Sequence, residues 1–124
     1  MRVLVVEDNE TMQRLFATAL AREGMECTLV SDGKSAVRAW QQDEFDVIFM
    51  DVQMPVMDGM EAARLVREQE VSRGGHTVII GVTAFALDTE RKMCLQAGMD
   101  AVVTKPINLD ELFSVVEKHA KGRA

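Results

Sequence analysis

Four apolar segments of this chain each end in side chains suited to metal or phosphoryl chemistry. Glu7 and Asp8 follow the first segment, Asp51 ends the second, Thr83 the third and Lys105 the fourth. Oxygen-only ligands such as carboxylates favour Mg²⁺ or Mn²⁺ over zinc. If the segments are parallel strands, three carboxylates, a hydroxyl and an ammonium meet at one edge. This set predicts metal-assisted phosphoryl transfer onto a carboxylate.

The residue types also suggest which role each side chain would have in the reaction. Asp51 would attack a phosphorus atom in line, and a metal would bridge Asp51, Asp8 and a phosphoryl oxygen. Lys105 would hold a second oxygen, and Thr83 would donate to a third. Two backbone N–H groups after the strands would complete the cradle, those of Gln53 and Ala84.

Each of these residues also has a purely structural explanation. Glu7 and Asp8 could simply cap the first helix. Asp51 could be an ordinary loop acid, Lys105 a surface lysine, and Thr83 a hydroxyl bonded to its own loop. All five nevertheless fall at the ends of apolar segments, and this shared placement favours chemistry over coincidence.

The segments that position these groups alternate between strand and helix patterns. We expect strands at about 2–6, 25–30, 46–50, 77–83 and 100–104, and helices at about 10–23, 33–43, 59–70, 88–97 and 109–119. Gly24 should end the first helix in a left-handed conformation. Asp88 should cap the fourth helix, and Asn108 with Glu111 should form a capping box at the fifth.

The alternation predicts an α/β fold of (βα)₅ type, a doubly wound parallel sheet covered by helices on both faces. In such sheets ligands bind beyond the carboxyl ends of the strands. At 124 residues the chain is expected to form one domain, spanning 1–124 with an ordered core of about 2–120.

The composition of the chain argues against several classes of function. A net charge of −6 and the lack of a basic run argue against direct nucleic-acid binding. The apolar runs are too short for membrane insertion, and the first residues do not resemble a signal peptide. Cys27 and Cys94 are expected to be buried free thiols in the cytoplasm. Met93 and Met99 are expected nearer the surface.

Over nearly its full length the chain resembles the receiver domain of two-component response regulators. The resemblance is carried by residues 4–9 (LVVEDN), 50–59 (MDVQMPVMDG), 82–84 (VTA), 96–100 (QAGMD) and 105–106 (KP). It implies a flavodoxin-like sheet with strand order 2-1-3-4-5. The segment around Asp51 is most similar to receivers of hybrid sensor histidine kinases.

The resemblance implies roles for individual residues. Asp51 would be the phosphoacceptor, with Glu7 and Asp8 as the acidic metal pair. Asp8 would bind the metal directly and Glu7 through water. A further ligand would be the backbone carbonyl of Gln53. The other implied features are a switch hydroxyl on Thr83 and a cis Lys105–Pro106 bond.

The chain departs from the family pattern at Val102, three residues before Lys105, where the family often has an aromatic side chain. The usual coupling between threonine and aromatic ring cannot operate with valine. Phe85 is interpreted either as local packing or as a shield that slows loss of the phosphoryl group. The side chain of Gln53 could orient water or be merely solvated.

The predicted function is therefore that of a signalling receiver and not of an enzyme. A histidine kinase or histidine phosphotransfer domain would supply the phosphoryl group to Asp51, and an unknown output partner would read the change. A pseudo-receiver that only binds partners is an alternative. A Mg²⁺-dependent phosphatase is another, although Gln53 cannot transfer protons as its general acid would. Either a stand-alone receiver or a fragment of a larger protein fits the sequence.

Overall fold

The structure is a computed structural model that describes residues 1–52, 58–84 and 87–120. Its strands are Arg2–Val6 (β1), Glu26–Val30 (β2), Val47–Asp51 (β3), Val78–Thr83 (β4) and Ala101–Thr104 (β5). Its helices are Glu10–Arg22 (α1), Gly33–Gln42 (α2), Gly59–Arg73 (α3), Asp88–Gln96 (α4) and Leu109–Ala120 (α5). Among these helices none is both long and apolar enough to cross a membrane.

The five strands form one parallel sheet in the order β2-β1-β3-β4-β5, which confirms the predicted fold and strand order. Alternate residues of each strand point to opposite faces. Leu4, Ile48 and Ile79 pack with α2, α3 and α4. Val5 and Phe49 pack with α1 and α5. Because helices cover both faces, a ligand can reach the sheet at the edge where the strands end.

β3 is the central strand, and every one of its residues is buried. Asp51 is its last residue, so this carboxylate lies at the middle of the carboxyl edge. β1 lies on one side of it, and β4 followed by β5 on the other. Strand order therefore places the ends of β1, β4 and β5 around Asp51.

Short polar side chains begin most of the helices. The side chains of Asn9, Asp32 and Asp58 accept N–H groups at the starts of α1, α2 and α3. Asn108 accepts the N–H of Glu111, which is one of the two hydrogen bonds of the predicted capping box.

The prediction that Asp88 caps α4 is wrong. Leu87 occupies the cap position with extended backbone, and Asp88 is the first helical residue. Leucine has no polar side-chain atom to accept an N–H, so α4 begins without a side-chain cap. Asp88 instead contributes a negative charge to the first turn.

α3 continues to Arg73, three residues beyond its predicted end. The Arg73 guanidinium lies 4.3 Å from the centre of the Trp40 ring and donates to the carbonyls of Trp40 and Asp43. These contacts with α2 stabilise the extra turn. Gly74, with a φ of 85°, then ends the helix.

Two expectations about burial were wrong. Cys27 is only partly buried, because β2 is an edge strand and lacks a neighbour on one side. Met99 is buried, and its sulfur lies against Gly81, where an added Cβ would come within 2.6 Å of it. Glycine on β4 thus makes room for a side chain that the sequence pattern places near the surface.

Arg67 braces the end of the sheet opposite the candidate site. Its guanidinium donates to the carbonyls of Gly98 and Thr77 and pairs with Glu70 and Asp100, at 2.7 and 2.8 Å. One side chain of α3 therefore ties together the starts of β4 and β5 and the end of α4.

We expect Arg67→Met to lower the free energy of unfolding by about 3 kcal/mol, because it removes the cation paired with the buried Glu70 and the partly buried Asp100, and removes the N–H donors to two backbone carbonyls. Arg64→Met is the matched control, since Arg64 is exposed on the same helix. It should change stability by less than about 0.5 kcal/mol. Urea denaturation of both variants measures the difference. Equal losses of unfolding free energy in the two variants would contradict a stabilising role for Arg67.

Candidate functional site

Three carboxylates meet at the carboxyl edge of the sheet. Side-chain oxygens of Glu7, Asp8 and Asp51 all lie within 4.8 Å of one another. Glu7 is 1% exposed and Asp51 3% exposed, whereas Asp8 faces solvent. The convergence predicted from the strand ends is present, with two acids buried and one open to the outside.

Glu7 is held by its immediate surroundings. Its backbone N–H donates to Val30 on β2, its carbonyl accepts from the Gln13 side chain at 2.6 Å, and its carboxylate accepts the Asn9 N–H at 3.1 Å. Asn9 itself caps α1 by accepting the N–H of Met12. The capping role is therefore filled by Asn9, and the acids before it are left to form the cluster.

Lys105 supplies the counter-charge. Its Nζ lies 3.2 Å from Asp51 Oδ2 and 3.2 Å from Glu7 Oε1. Its backbone N–H donates to the Thr83 carbonyl at 2.7 Å, and the Lys105–Pro106 bond is cis, as expected. Burial disfavours the ammonium, but the charges of Asp51 and Glu7 outweigh burial and raise the pKa of Lys105. Lys105 is thus charged at neutral pH.

One ammonium does not balance three carboxylates. At 4.8 Å and an effective dielectric of about 20, two like charges repel by about 3 kcal/mol. A side-chain hydrogen bond with Glu7, assisted by burial and by the charge of Glu7, raises the pKa of Asp8. A divalent cation would relieve this repulsion, and the oxygen-only ligands fit Mg²⁺.

Thr83 lies at the end of β4, paired with Thr104 on β5, and is 1% exposed. Its hydroxyl donates a hydrogen bond to the Glu90 carboxylate of α4. Val102 is partly buried and packs against the core on the side of the sheet that α2, α3 and α4 cover. Ala84, the predicted source of a cradling N–H, is exposed directly after the strand. Gln53 and Phe85 lie outside the described residues.

For two residues near the site, no role had been predicted from the sequence. Glu90 contacts Thr83, and Gly59 opens α3 directly against the end of β3. A Cβ on Gly59 would collide with the Asp51 carbonyl and come within 2.9 Å of Met50 Cγ. Glycine thus allows α3 to start beside Asp51. A glycine directly after a helix-capping acid, Asp58, was the available signal for it.

Comparison with known proteins agrees with this geometry. The model of the family described as "Response regulator receiver domain" matches residues 3–117. Hybrid signal transduction histidine kinase I of Dictyostelium discoideum is 41% identical over 120 residues. Sensor protein GacS of Pseudomonas syringae pv. syringae is 43% identical over 118 residues. The alignments cover 93% and 94% of this chain but only 7% and 13% of those kinases.

Two solved structures extend the likeness to three dimensions. The receiver domain of a sensor histidine kinase from Pseudomonas aeruginosa PAO1, crystallised with magnesium coordinated in its active site cleft, is 39% identical with a TM-score of 0.86, covering 96% of each chain. A Saccharomyces cerevisiae complex of the histidine phosphotransfer protein Ypd1 with the receiver domain of the response regulator Ssk1 gives a match of 30% identity and TM-score 0.93. That match covers 100% of this chain and 91% of the other.

The family model thus spans nearly all of the chain, and the relatives share its fold as well as its sequence. The chain belongs to the response regulator receiver domain family, the signalling domain of two-component and phosphorelay systems.

Proposed function

We propose that this receiver accepts a phosphoryl group on Asp51 from a phosphohistidine donor, in a reaction that depends on Mg²⁺. The observation that carries the proposal is the position of Asp51. It lies at the end of the central strand, 3.2 Å from the Lys105 ammonium and within 4.8 Å of both acids that follow β1. Each neighbour thus contributes a charge at the point where the phosphoryl group would sit.

Asp51 is favoured over the other two acids as the acceptor. Glu7 follows β1, beside the central strand, and is held there by Lys105 and by the Asn9 N–H. Asp8 faces solvent after the end of β1, whereas Asp51 is 3% exposed at the end of the central strand. Asp51 is flanked on both sides by strand ends that supply stabilising groups.

In the proposed reaction, a carboxylate oxygen of Asp51 attacks phosphorus, and a P–O bond forms as the P–N bond of phosphohistidine breaks. The electron pair of that bond stays on the imidazole nitrogen. Lys105, already placed at Asp51, stabilises one phosphoryl oxygen, and the Thr83 hydroxyl donates to another. Glu7, Asp8 and Asp51 would hold Mg²⁺, which would neutralise charge on the phosphoryl oxygens.

Three further parts of the site belong to the proposal. The Ala84 N–H would complete the oxygen cradle together with the N–H of Gln53. The Gln53 carbonyl would complete the metal ligands. Mn²⁺ is expected to substitute for Mg²⁺, since its preference for oxygen ligands is similar.

The relatives suggest which kind of protein donates the phosphoryl group. Two are hybrid or sensor histidine kinases, and one matched structure pairs a receiver with a histidine phosphotransfer protein. We propose that a kinase or phosphotransfer domain of this kind supplies the phosphoryl group in the cytoplasm. There the free thiols of Cys27 and Cys94 would persist. The output partner would bind a surface that phosphorylation alters.

The proposed metal site predicts how Asp51→Asn changes the stability of the metal-free protein and its response to Mg²⁺. Asp51→Asn removes a charge that two carboxylates repel, so we expect it to stabilise the metal-free protein by roughly 1 kcal/mol, about 3–5 °C in Tm. Mg²⁺ should then raise the Tm of the wild type more than that of the variant. Asp110→Asn, which changes an exposed acid on α5, is the control and should respond to Mg²⁺ like the wild type. Equal Mg²⁺ shifts in all three proteins would contradict the site.

Intact-mass spectrometry tests whether Asp51 accepts the phosphoryl group. Incubation with acetyl phosphate and Mg²⁺ should give one phosphoryl adduct on the wild type and on Asp110→Asn. Asp51→Asn, and wild type with EDTA, should give none, because the nucleophile or the metal is missing. Failure of the wild type with both acetyl phosphate and a phosphohistidine protein would overturn the proposal and favour the partner-binding pseudo-receiver.

A further inference from the structure

Glu90 joins the candidate site to helix α4. It lies in the first turn of that helix, and its carboxylate accepts the hydrogen bond that the Thr83 hydroxyl donates. Thr83 is buried and Glu90 partly buried, so the contact is shielded from competing water. The hydroxyl that would donate to a phosphoryl group therefore already points to an anionic partner outside the cluster of acids.

A hydroxyl group has a single proton to donate. The proton of Thr83 can go to Glu90 or to a phosphoryl oxygen on Asp51, but a strong hydrogen bond to both at once is not available. Both acceptors are anionic, so the two bonds are of comparable strength. A phosphoryl group on Asp51 must therefore displace Glu90 in order to bind Thr83.

We propose that Glu90 is a positioning residue that competes with the phosphoryl group for the Thr83 proton and thereby couples phosphorylation to α4. The inference rests on the proposed function, since it takes Asp51 as the site of the phosphoryl group. Without phosphate, Glu90 holds Thr83 toward α4. With phosphate, Thr83 turns to the phosphoryl oxygen and the first turn of α4 loses its bond to β4.

α4 is suited to respond to the loss of one bond. It spans nine residues, all within the described range 87–120, and Cys94 alone among them is buried. Its cap residue, Leu87, cannot anchor the first turn with a side-chain hydrogen bond. A helix with so little buried surface shifts readily, and the bond to Thr83 is therefore a substantial part of what fixes its start.

The same contact would link Thr83 to α4 without the threonine-to-aromatic coupling that the resemblance implies for the family. Val102 stands where the family often carries the aromatic ring that follows the threonine, and valine has no ring to move. The Thr83–Glu90 bond gives the movement of Thr83 a direct effect on α4 that does not pass through residue 102.

Binding of beryllofluoride, a phosphoryl mimic, in the presence of Mg²⁺ tests the competition without any turnover. Glu90→Ala removes the competing acceptor, so the dissociation constant should fall about three- to tenfold. Asp88→Asn removes a charge from the same turn of α4. It should leave the dissociation constant within about twofold of the wild-type value. Melting curves establish that each variant is folded.

The dependence on Thr83 separates competition from simple charge repulsion. Thr83→Val removes the proton and should weaken beryllofluoride binding, and adding Glu90→Ala in that background should change nothing further. Thr83→Ser keeps a hydroxyl and should retain the Glu90 effect. Amide chemical shifts of α4 in Glu90→Ala without ligand should move toward those of the wild type with beryllofluoride.

The outcomes are distinguishable. If Glu90→Ala tightens binding equally in the wild-type and Thr83→Val backgrounds, repulsion explains the effect and the competition is overturned. An unchanged dissociation constant for Glu90→Ala, with Thr83→Val still weakening binding, also overturns it and leaves the proposed function intact. No beryllofluoride binding by the wild type would count against the proposed function itself.

Discussion

The charge balance at the carboxyl edge of the sheet is the constraint on which the rest of the structure depends. Two carboxylates are almost fully buried, a third lies beside them, and one ammonium contacts the buried pair. Burying so much like charge is unfavourable unless counter-charges are fixed in place. Strand order, the bond from Lys105 to the Thr83 carbonyl and the close start of α3 all serve to fix them.

Much of this arrangement could be predicted from the sequence, because the governing rules are local. Val- and Ile-rich segments separated by helical patterns predict a parallel sheet, and parallel strands place their carboxyl ends together. Glu7, Asp51 and Lys105 are strand-end residues, so their convergence follows from topology alone. The order of the strands could be predicted only from the family resemblance, because an alternation of strands and helices permits several strand orders.

The remaining features depend on contacts between different helices and strands. Glu90 is seven residues from Thr83, and nothing in the pattern of α4 marks it apart from other helix-start acids. Met99 is buried because Gly81 makes room for it, and Arg73 extends α3 because Trp40 lies beneath it. Each is a packing outcome that becomes visible only once the elements are assembled.

The site joins a preformed cluster of carboxylates to a weakly anchored helix. Lys105 and the acids are already positioned in the protein without ligand, which would suit stabilisation of charge during the proposed transfer. Thr83 would be the group shared between the proposed chemistry and α4, through its bond to Glu90. Under the proposed function, the ends of β1, β3, β4 and β5 would all take part in the phosphoryl chemistry, and Thr83 on β4 would pass its effect to α4.

The central claim, that Asp51 receives the phosphoryl group, is tested most directly by locating the modification. Borohydride reduces an aspartyl phosphate to homoserine with release of phosphate, so the modified position can be read by tandem mass spectrometry of the digested protein. We predict homoserine at position 51, formed only after incubation with donor and Mg²⁺. Reduction at Glu7 or Asp8 with Asp51 unmodified would contradict the claim.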